Sequence, residues 1–416
     1  MDNHVTAISE NPKDLLSRLL REGAQRLLAE AINVEVTEHL RNVNKDKVVV
    51  TRNGKAPKRQ VQTGLGPIEV QRPKLRTKPG ERSPSFSSKV LPSYLRKTKS
   101  VEELIPWLYL KGISANDMAS SLEPILGKHL KGFSATSVCR LKEIWTKEYN
   151  DWNQSSIDER VVYIWADGVY FDIRLGEDER MCVLVIIGAT AKGEKKLLGI
   201  EAGYRESTIS WKNLLLKLRD RGMTQAPELA IGDGAMGFWA AIDEVYPQTR
   251  HQRCWVHRTA NVLDVLPKSK QAEAKTMIHE IYRAESKLEA EKAFKRFIDT
   301  FDAKYPGAVK KLLKTKESTM TFYDFPAEHW SHIRSTNPIE SMFSTIRLRT
   351  RKTKGCGSTK ATLAMVFKLS CLAEKRWKKL NGSNLLADVI DARFRFQDGV
   401  RVDAGATSPK VSNTKF

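Results

Sequence analysis

Three carboxylates in this chain stand where divalent-cation chemistry would need them. Asp167 and Asp233 each close an apolar run and each precede a glycine (Trp165-Ala-Asp167-Gly and Ile231-Gly-Asp233-Gly). Glu340 lies near the start of an amphipathic segment, Ser335-Thr-Asn-Pro-Ile-Glu340-Ser-Met-Phe-Ser-Thr-Ile-Arg-Leu-Arg-Thr-Arg-Lys, which continues in cations without a further acid. Mg²⁺ takes oxygen ligands, binds through a few carboxylates, and leaves its other positions to water and phosphate. Two such ions would activate water or a 3′-hydroxyl for in-line displacement at phosphorus. Each acid also has a plainer reading: Asp-Gly marks a turn, and an acid in the first turn of a helix closes a capping box.

The elements that must position these acids follow from periodicity. Asn337 reads as an N-cap and Pro338 as the first helical residue, so Glu340 would complete a capping box. Ile339, Met342, Phe343 and Ile346 share the buried face of that helix, and Glu340, Ser344, Arg347 and Arg351 share the other. Upstream, Val161–Gly168 and Val169–Arg174 read as two strands, and the continuously apolar Met181–Ile187 as an interior one. Lys195–Tyr204 supplies another, followed by a helix over 207–221, the strand ending in Asp233, and a helix over 235–246. Strands first and then strand and helix in alternation predict a mixed α/β sheet. After Cys254 the β signal stops, and a stretch rich in Ala, Glu and Lys reads as helices up to Pro326. A further amphipathic helix is expected from about Ser358 to Lys379, and a loose tail over 403–416.

Charge narrows the partner. The 416 residues carry 70 Lys and Arg against 49 Asp and Glu, a formal +21, which favours a polyanion and above all nucleic acid. No apolar run reaches the roughly 20 residues a spanning helix requires, so no membrane role is expected. Five widely separated cysteines, and no cationic start followed by an apolar run, point to a reducing cytoplasm. Residues 1–40 form a helical region with Leu16, Leu20, Leu27 and Ala31 on one stripe, widened by Leu15, Leu19 and Leu28, in search of a partner. Residues 41–100 hold sixteen Lys or Arg against three acids among short β-like runs, a basic hairpin or linker region. Arg52, Lys55, Lys58 and Arg59 are its candidate phosphate contacts; a merely soluble linker is the competing reading. Residues 101–155 read as three helices, the middle one stopping near Leu122 before Pro124. The last carries Val138, Leu141 and Trp145 inward and Arg140, Lys142 and Lys147 outward. Such a triplet fits a helix-turn-helix reader of a major groove, and equally an ordinary helical core.

Taken together, Trp165-Ala-Asp167-Gly-Val-Tyr, Gly232-Asp233-Gly, Gln252-Arg-Cys254-Trp-Val-His257-Arg-Thr-Ala-Asn261 and Ser335-Thr-Asn-Pro-Ile-Glu340-Ser resemble, in order and spacing, the Mutator-type DDE transposases of bacterial insertion sequences. The resemblance extends from Arg52-Asn-Gly54 to about Trp377. It implies an RNase H-like catalytic domain in two parts, 156–256 and 334–402, separated by an α-helical insertion over 257–333. Asp167, Asp233 and Glu340 would be the metal-binding triad for Mg²⁺, with Mn²⁺ able to substitute. The substrate would be double-stranded DNA, both the terminal inverted repeats and the target, cleaved and then joined by a homodimer or larger synaptic assembly in the bacterial cytoplasm, at the nucleoid. Arg347 and Arg351 would continue the Glu340 face toward DNA. The family typically has Ala at Pro338 and Asn at Phe343.

Cys254 and His257 remain open to three readings: a place in the catalytic pocket with His257 on the scissile phosphate, plain packing, or half of a zinc site completed by His329-x-x-His332. Trp255 and Trp330 read as core or as platforms for an unpaired base. A DNA-binding regulator with structural acids, and a structure-specific nuclease on the same fold, are the rival functions.

Overall fold

The structure is a computed structural model, and it describes residues 12–43, 50–77, 86–114, 116–126, 135–172, 180–203, 205–234, 236–352 and 358–403. It divides into two compact units, 1–143 and 144–416. The division falls inside a helix.

In the first unit, the long helix α1 (Pro12–Val43) precedes four short strands, β1 (Val50–Lys55), β2 (Arg59–Thr63), β3 (Gly66–Val70) and β4 (Pro73–Thr77). β2 and β3 form a hairpin, and β1 pairs antiparallel with β4 around it. Gly66 takes φ = 98°, a conformation that a side chain would strain, which suits it to leave the tight β2–β3 turn. Ile32 and Val36 of α1 close on Val61, Ile68, Val70 and Leu91 as one small core. Of the stripe expected from sequence, Leu28 meets this core, whereas Leu16, Leu19, Leu20 and Leu27 are exposed. The actual contact face is set by Ala24, Leu28, Ile32, Val36 and Leu40, whose spacing continues further down the helix. A second core joins α2 (Lys99–Leu110), α3 (Met118–Leu126) and the start of α4 (Ala135–Gln154) through Val101, Ile105, Met118, Leu122, Leu126 and Val138. Pro124 does not end α3. It removes one donor near the last turn, and burial of Leu126 offsets that loss.

The second unit is built on a five-stranded sheet in the order β7-β6-β5-β8-β9, made of β5 (Val161–Asp172), β6 (Arg180–Thr190), β7 (Lys195–Gly203), β8 (Leu229–Gly232) and β9 (Arg250–Arg253). β5, β6 and β7 are antiparallel neighbours, whereas β5, β8 and β9 run parallel. The fold is thus mixed α/β, as the strand and helix order predicted. One element differs. Val161–Asp172 is a single strand, not two, because the apolar β6 keeps pairing past Asp167-Gly168 down to Asp172.

Helices cover both faces. On one, α5 (Thr208–Asp220) and α6 (Met236–Val245) bury Trp211, Leu214, Leu218, Phe238 and Ile242 against Ile164, Ala166 and Leu184. The parallel connections through α6 need such a crossover helix. From β9 the chain passes through α7 (Trp255–Leu263), α8 (Lys268–Arg283), α9 (Lys287–Phe301), α10 (Pro306–Leu313), α11 (Lys316–Met320) and α12 (Trp330–Ile333), a helical stretch packed around Phe294, Phe297, Phe301 and Leu312. Its first and last residues meet, Trp255 N–H donating to Arg334 O at 3.0 Å. Then α13 (Asn337–Lys352) and α14 (Thr359–Glu374) return to the opposite sheet face, α13 on β5 and α14 on β7. The short α15 (Leu386–Ile390) and the hairpin β10 (Phe394–Gln397)–β11 (Val400–Asp403) complete the described chain.

Candidate active site

Side chains alternate along β5, so Tyr163, Trp165 and Asp167 face the α12–α13 side while Ile164, Ala166 and Gly168 face α5 and α6. Contacts fix that assignment: Tyr163 Oη lies 2.8 Å from His329 Nδ1, and Trp165 Nε1 donates to His332 O at 3.0 Å. Ala166 is paired with Gly232 on β8, and there β8 ends. Asp167 and Asp233 are the next residues on two adjacent parallel strands, about 5 Å apart at the backbone. On its other side Asp167 is still paired, with Val185. It sits at the end of a neighbouring strand, not of its own. Gly232 leaves little room here: a Cβ would meet the rings of Phe238 and Trp239 at 3.1 Å, so a larger residue would press on them.

The backbone after β8 is pinned. Trp239 Nε1 and Arg253 Nη1 both donate to Asp233 O, at 2.9 and 2.6 Å, and the Arg253 guanidinium lies over the Trp239 ring. Asp167 is 8% exposed and accepts the Gly168 N–H at 2.9 Å. Burial pushes its carboxyl up to about 7; His257 opposes this, and the charges of Asp233 and Glu206 add to it.

Glu340 arrives from the opposite side on the first turn of α13, with Ile339, Met342, Phe343 and Ile346 buried beneath it. Phe343 therefore belongs to the packed face, away from the carboxylate. The helix starts one residue earlier than its sequence suggests. Thr336 O accepts from Ile339 N–H and Glu340 N–H, so Thr336 takes the cap position, with Asn337 and Pro338 inside the helix. Its hydroxyl is turned to Glu340 Oε1 (2.9 Å) and Cys254 Sγ (3.2 Å) in place of a capping box.

Cys254 and His257 belong to this site. Cys254 follows β9 directly and its N–H donates to Gly232 O at 2.8 Å, next to Asp233; its Sγ accepts from Thr336 N–H at 3.3 Å. His257 Nε2 lies 3.8 Å from Glu340 Oε1. Its imidazolium is favoured first by a hydrogen bond to Cys254, against the cost of burial, and also by the charges of Asp167 and Asp233, which together bring it up to about 9. His257 thus faces all three acids. Among the described residues, Cys254, His257 and Glu340 form the group whose ligand atoms all lie within 4.8 Å of one another.

The other half of the proposed zinc site goes elsewhere. His329 is fully buried between Tyr163 Oη and Gly382 O, and His332 Nε2 accepts from Asn381 N–H, so neither completes a Cys254–His257 centre. Trp255 is core, its Nε1 donating to Thr319 O at 2.8 Å and its ring near Tyr282 and Phe294. Trp330 packs on Phe322 and Tyr323. Trp255 is thus closed to a base, while Trp330 stays half-exposed.

One acid at the site escaped the sequence reading. Glu206, just ahead of α5, lies on the α5 side of β5 directly over Gly168, where an added Cβ would come within 2.7 Å of its Oε1. Burial raises its pKa, the charge of Asp233 adds to that, and His257 opposes it. Arg205-Glu206-Ser207 carries no motif, and the available signal was Gly168 itself, a small residue inside an otherwise bulky strand. Glu206 thus lies across the strand from Asp167, while Asp167 and Asp233, side by side at the strand ends, offer carboxylate oxygens, and burial together with the neighbouring acid charges raises the proton affinity of Asp167. That donor set suits a hard divalent cation, whose charge would relieve the repulsion.

The candidate DNA-binding cations fall into different settings. In the first unit Arg52 is exposed and bonded to Thr37 Oγ1 at 2.8 Å, Lys55 is exposed, and Lys58 pairs with Glu69 at 2.7 Å. Arg59 is committed to the Leu91, Pro92 and Ser93 carbonyls, a structural clasp. Arg140 is exposed on α4 and Lys142 is half-buried. Arg347 is exposed on α13 and its guanidinium lies 5.8 Å from the Phe343 ring centre, while the Arg351 side chain lies outside the described residues.

The family model "Transposase, Mutator family" matches residues 3–379, nearly the whole chain. The chain belongs to the Mutator family of transposases. It is 48% identical over 288 residues to the transposase for insertion sequence element IS6120 of Mycolicibacterium smegmatis, covering 69% of this chain and 88% of that protein. It is 46% identical over 297 residues to the transposase for insertion sequence element IST2 of Acidithiobacillus ferrooxidans, covering 71% of this chain and 99% of that one. A solved Drosophila P element transposase strand transfer complex aligns with a TM-score of 0.29 at 12% identity, over 75% of this chain and 86% of that one, too remote to argue from. Among the described residues no helix of this transposase is long and apolar enough to cross a membrane.

Proposed function

We propose that this insertion-sequence transposase is a DDE enzyme on an RNase H-like sheet, with Asp167, Asp233 and Glu340 as its acidic triad. The observation that carries the reading is the placement of Asp167 and Asp233 abreast on β5 and β8, facing His257, which in turn faces Glu340. The strand order, three antiparallel followed by two parallel, supports the RNase H-like assignment. Asp167 and Asp233 would hold Mg²⁺, or Mn²⁺ in its place, with Glu340 closing the far side. Bound there, the ion supplies Lewis acidity toward a phosphate and lowers the pKa of an attacking water or 3′-hydroxyl.

The protein's own groups orient and neutralise. Arg253 and Trp239 hold the Asp233 backbone still, which keeps its carboxylate in register with Asp167. His257 holds a proton at neutral pH beside three acids and can donate a hydrogen bond to a non-bridging oxygen of the scissile phosphate. The basic first unit, with Arg52, Lys55, Lys58, Arg140 and Lys142, supplies salt-dependent grip on the terminal inverted repeats, and Arg347 and Arg351 extend the grip along α13. Exposed Leu20, Leu27 and Val34, at steps of seven along α1, suit a helix-to-helix contact between two copies in a synaptic assembly.

The test is a labelled terminal inverted repeat incubated with the protein and Mg²⁺. Nicking followed by joining to target DNA is expected from the parent and absent from Glu340→Gln and Asp167→Asn, both of which still bind the end. Joining by Glu340→Gln sinks the assignment. Cutting without joining, and without preference for the repeat, makes the protein a nuclease.

A further inference from the structure

The two acids on the sheet and the acid on α13 belong to elements far apart in sequence, and something must fix the distance between them. Packing of Ile339, Met342, Phe343 and Ile346 sets the helix on the sheet but leaves a long Glu side chain free to swing. A chain of hydrogen bonds does the rest. Cys254 N–H holds Gly232 O at 2.8 Å, the last residue of β8 before Asp233. Cys254 Sγ accepts from Thr336 N–H at 3.3 Å and lies 3.2 Å from Thr336 Oγ1, which lies 2.9 Å from Glu340 Oε1. Cys254 is 1% exposed and Thr336 wholly buried, so water does not compete for these contacts.

A hydroxyl has one proton, and three groups stand around Thr336 Oγ1: Glu340 Oε1 at 2.9 Å, Cys254 Sγ at 3.2 Å and, farthest, His257 Nδ1 at 3.5 Å, whose imidazolium has no lone pair to accept it. With the backbone N–H already on sulfur, the hydroxyl is released to Glu340. The sulfur takes the Thr336 N–H at 3.3 Å and tolerates the hydroxyl oxygen at 3.2 Å, separations that suit a large, polarisable, weakly accepting atom. Cys254 does not act here as an ordinary helix cap: its side chain makes no capping bond to α7, although it occupies the cap position.

We infer that Cys254 and Thr336 form a clasp that ties the Asp233 strand end to the first turn of α13 and aims the Glu340 carboxylate at the aspartate pair. Both are positioning residues, and the inference rests on the triad reading above. Groups that orient metal-binding side chains are worth about 10- to 100-fold in metal affinity.

The experiment is Mn²⁺ binding to the full chain without DNA, followed by the paramagnetic resonance signal of free Mn²⁺, beside the Mg²⁺ dependence of end nicking. Thr336→Val and Cys254→Val should each weaken Mn²⁺ binding about tenfold and raise the Mg²⁺ needed for half-maximal nicking by a similar factor, with end-binding affinity unchanged. Thr336→Ser and Cys254→Ser keep a hydroxyl or an acceptor in place and should restore most of that loss. Should Cys254→Val fail to fold, Thr336→Val against Thr336→Ser still decides. Mn²⁺ binding lowered in Glu340→Gln but unchanged in both valine variants overturns the clasp and leaves the triad standing. Binding unchanged in all three overturns both.

Discussion

The two units of this transposase hold their charges in opposite ways. In the first, cations stand on short hairpins and helix surfaces over two small cores, and several are exposed (Arg52, Lys55, Arg140). In the second, acids lie at the heart of a five-stranded sheet, with Asp167 8% exposed and Glu206 half-buried over Gly168. Charge in water is cheap to hold and each residue adds a little; charge in a protein interior is costly and each residue counts heavily. The comparison suggests a division of labour: affinity spread over many cations in one unit, chemistry concentrated in a few acids in the other.

The largest expected effect tests the concentrated side. Asp167→Asn, Asp233→Asn and Glu340→Gln should each lower end nicking by on the order of 10³-fold or more, while end binding in a filter or gel assay changes less than about threefold. A proportionate fall in both would erase the distinction between the units. Next in size is stability. Phe343→Ala removes a fully buried ring from the α13 face and should cost about 3–5 kcal/mol in denaturant unfolding. Arg59→Ala, which abandons three carbonyls in the first unit, should destabilise that unit without altering the salt slope of DNA binding.

Acidity gives a third contrast. A carboxyl at about 7 in the folded protein and near 3.8 when unfolded binds its proton more tightly folded, so its contribution to stability is full below about pH 4 and is lost as pH rises through 7. His257, raised to about 9, adds stability that is full below about 6.5 and lost through 9. Metal-free protein should therefore lose stability as pH rises from 4 to 9, and Asp167→Asn should flatten the lower part of that slope. Thermal melts across pH in EDTA measure it. A melting temperature that climbs between pH 4 and 7 for reasons traceable to Asp167 would contradict the burial argument. The smallest effects lie on the surface. Arg52→Ala, Lys55→Ala and Arg140→Ala should each weaken binding a few-fold and reduce the slope of log K against log salt by about one where the residue meets a phosphate.

The acids, Cys254 and His257 were legible in the sequence because each stands beside a local oddity: Asp before Gly at the end of an apolar run, Glu in a helix's first turn, Cys and His at a fixed step. The mixed sheet was legible for the same reason, since a change of period from two to 3.6 is local. What escaped depends on partners far along the chain. Nothing near Asp167 says that β6 continues beside it while β8 stops, so one long strand was read as two. Asn337 reads as the cap in sequence, and only Cys254, far back in the chain, accounts for Thr336 at that position with its hydroxyl turned to Glu340. The α1 stripe was misplaced because Leu16, Leu20 and Leu27 obey the same spacing as the residues that do meet a core. Glu206 had no signature except the missing side chain at Gly168.

The bond between Trp255 N–H and Arg334 O has a bearing on how such chains vary. The stretch from α7 to α12 begins and ends at one doorway, latched by a backbone hydrogen bond that does not depend on any side chain. Its outer connections, between α8, α9 and α10, can be lengthened at a cost in closure entropy that grows only with the logarithm of their length, whereas α7 with His257 and the residues from Thr319 to His332, bonded to Gln252, Tyr163 and Trp165, are tied to the sheet that carries Asp167. The helical stretch is in this sense a room added to the house: its size is negotiable, and its door frame is not.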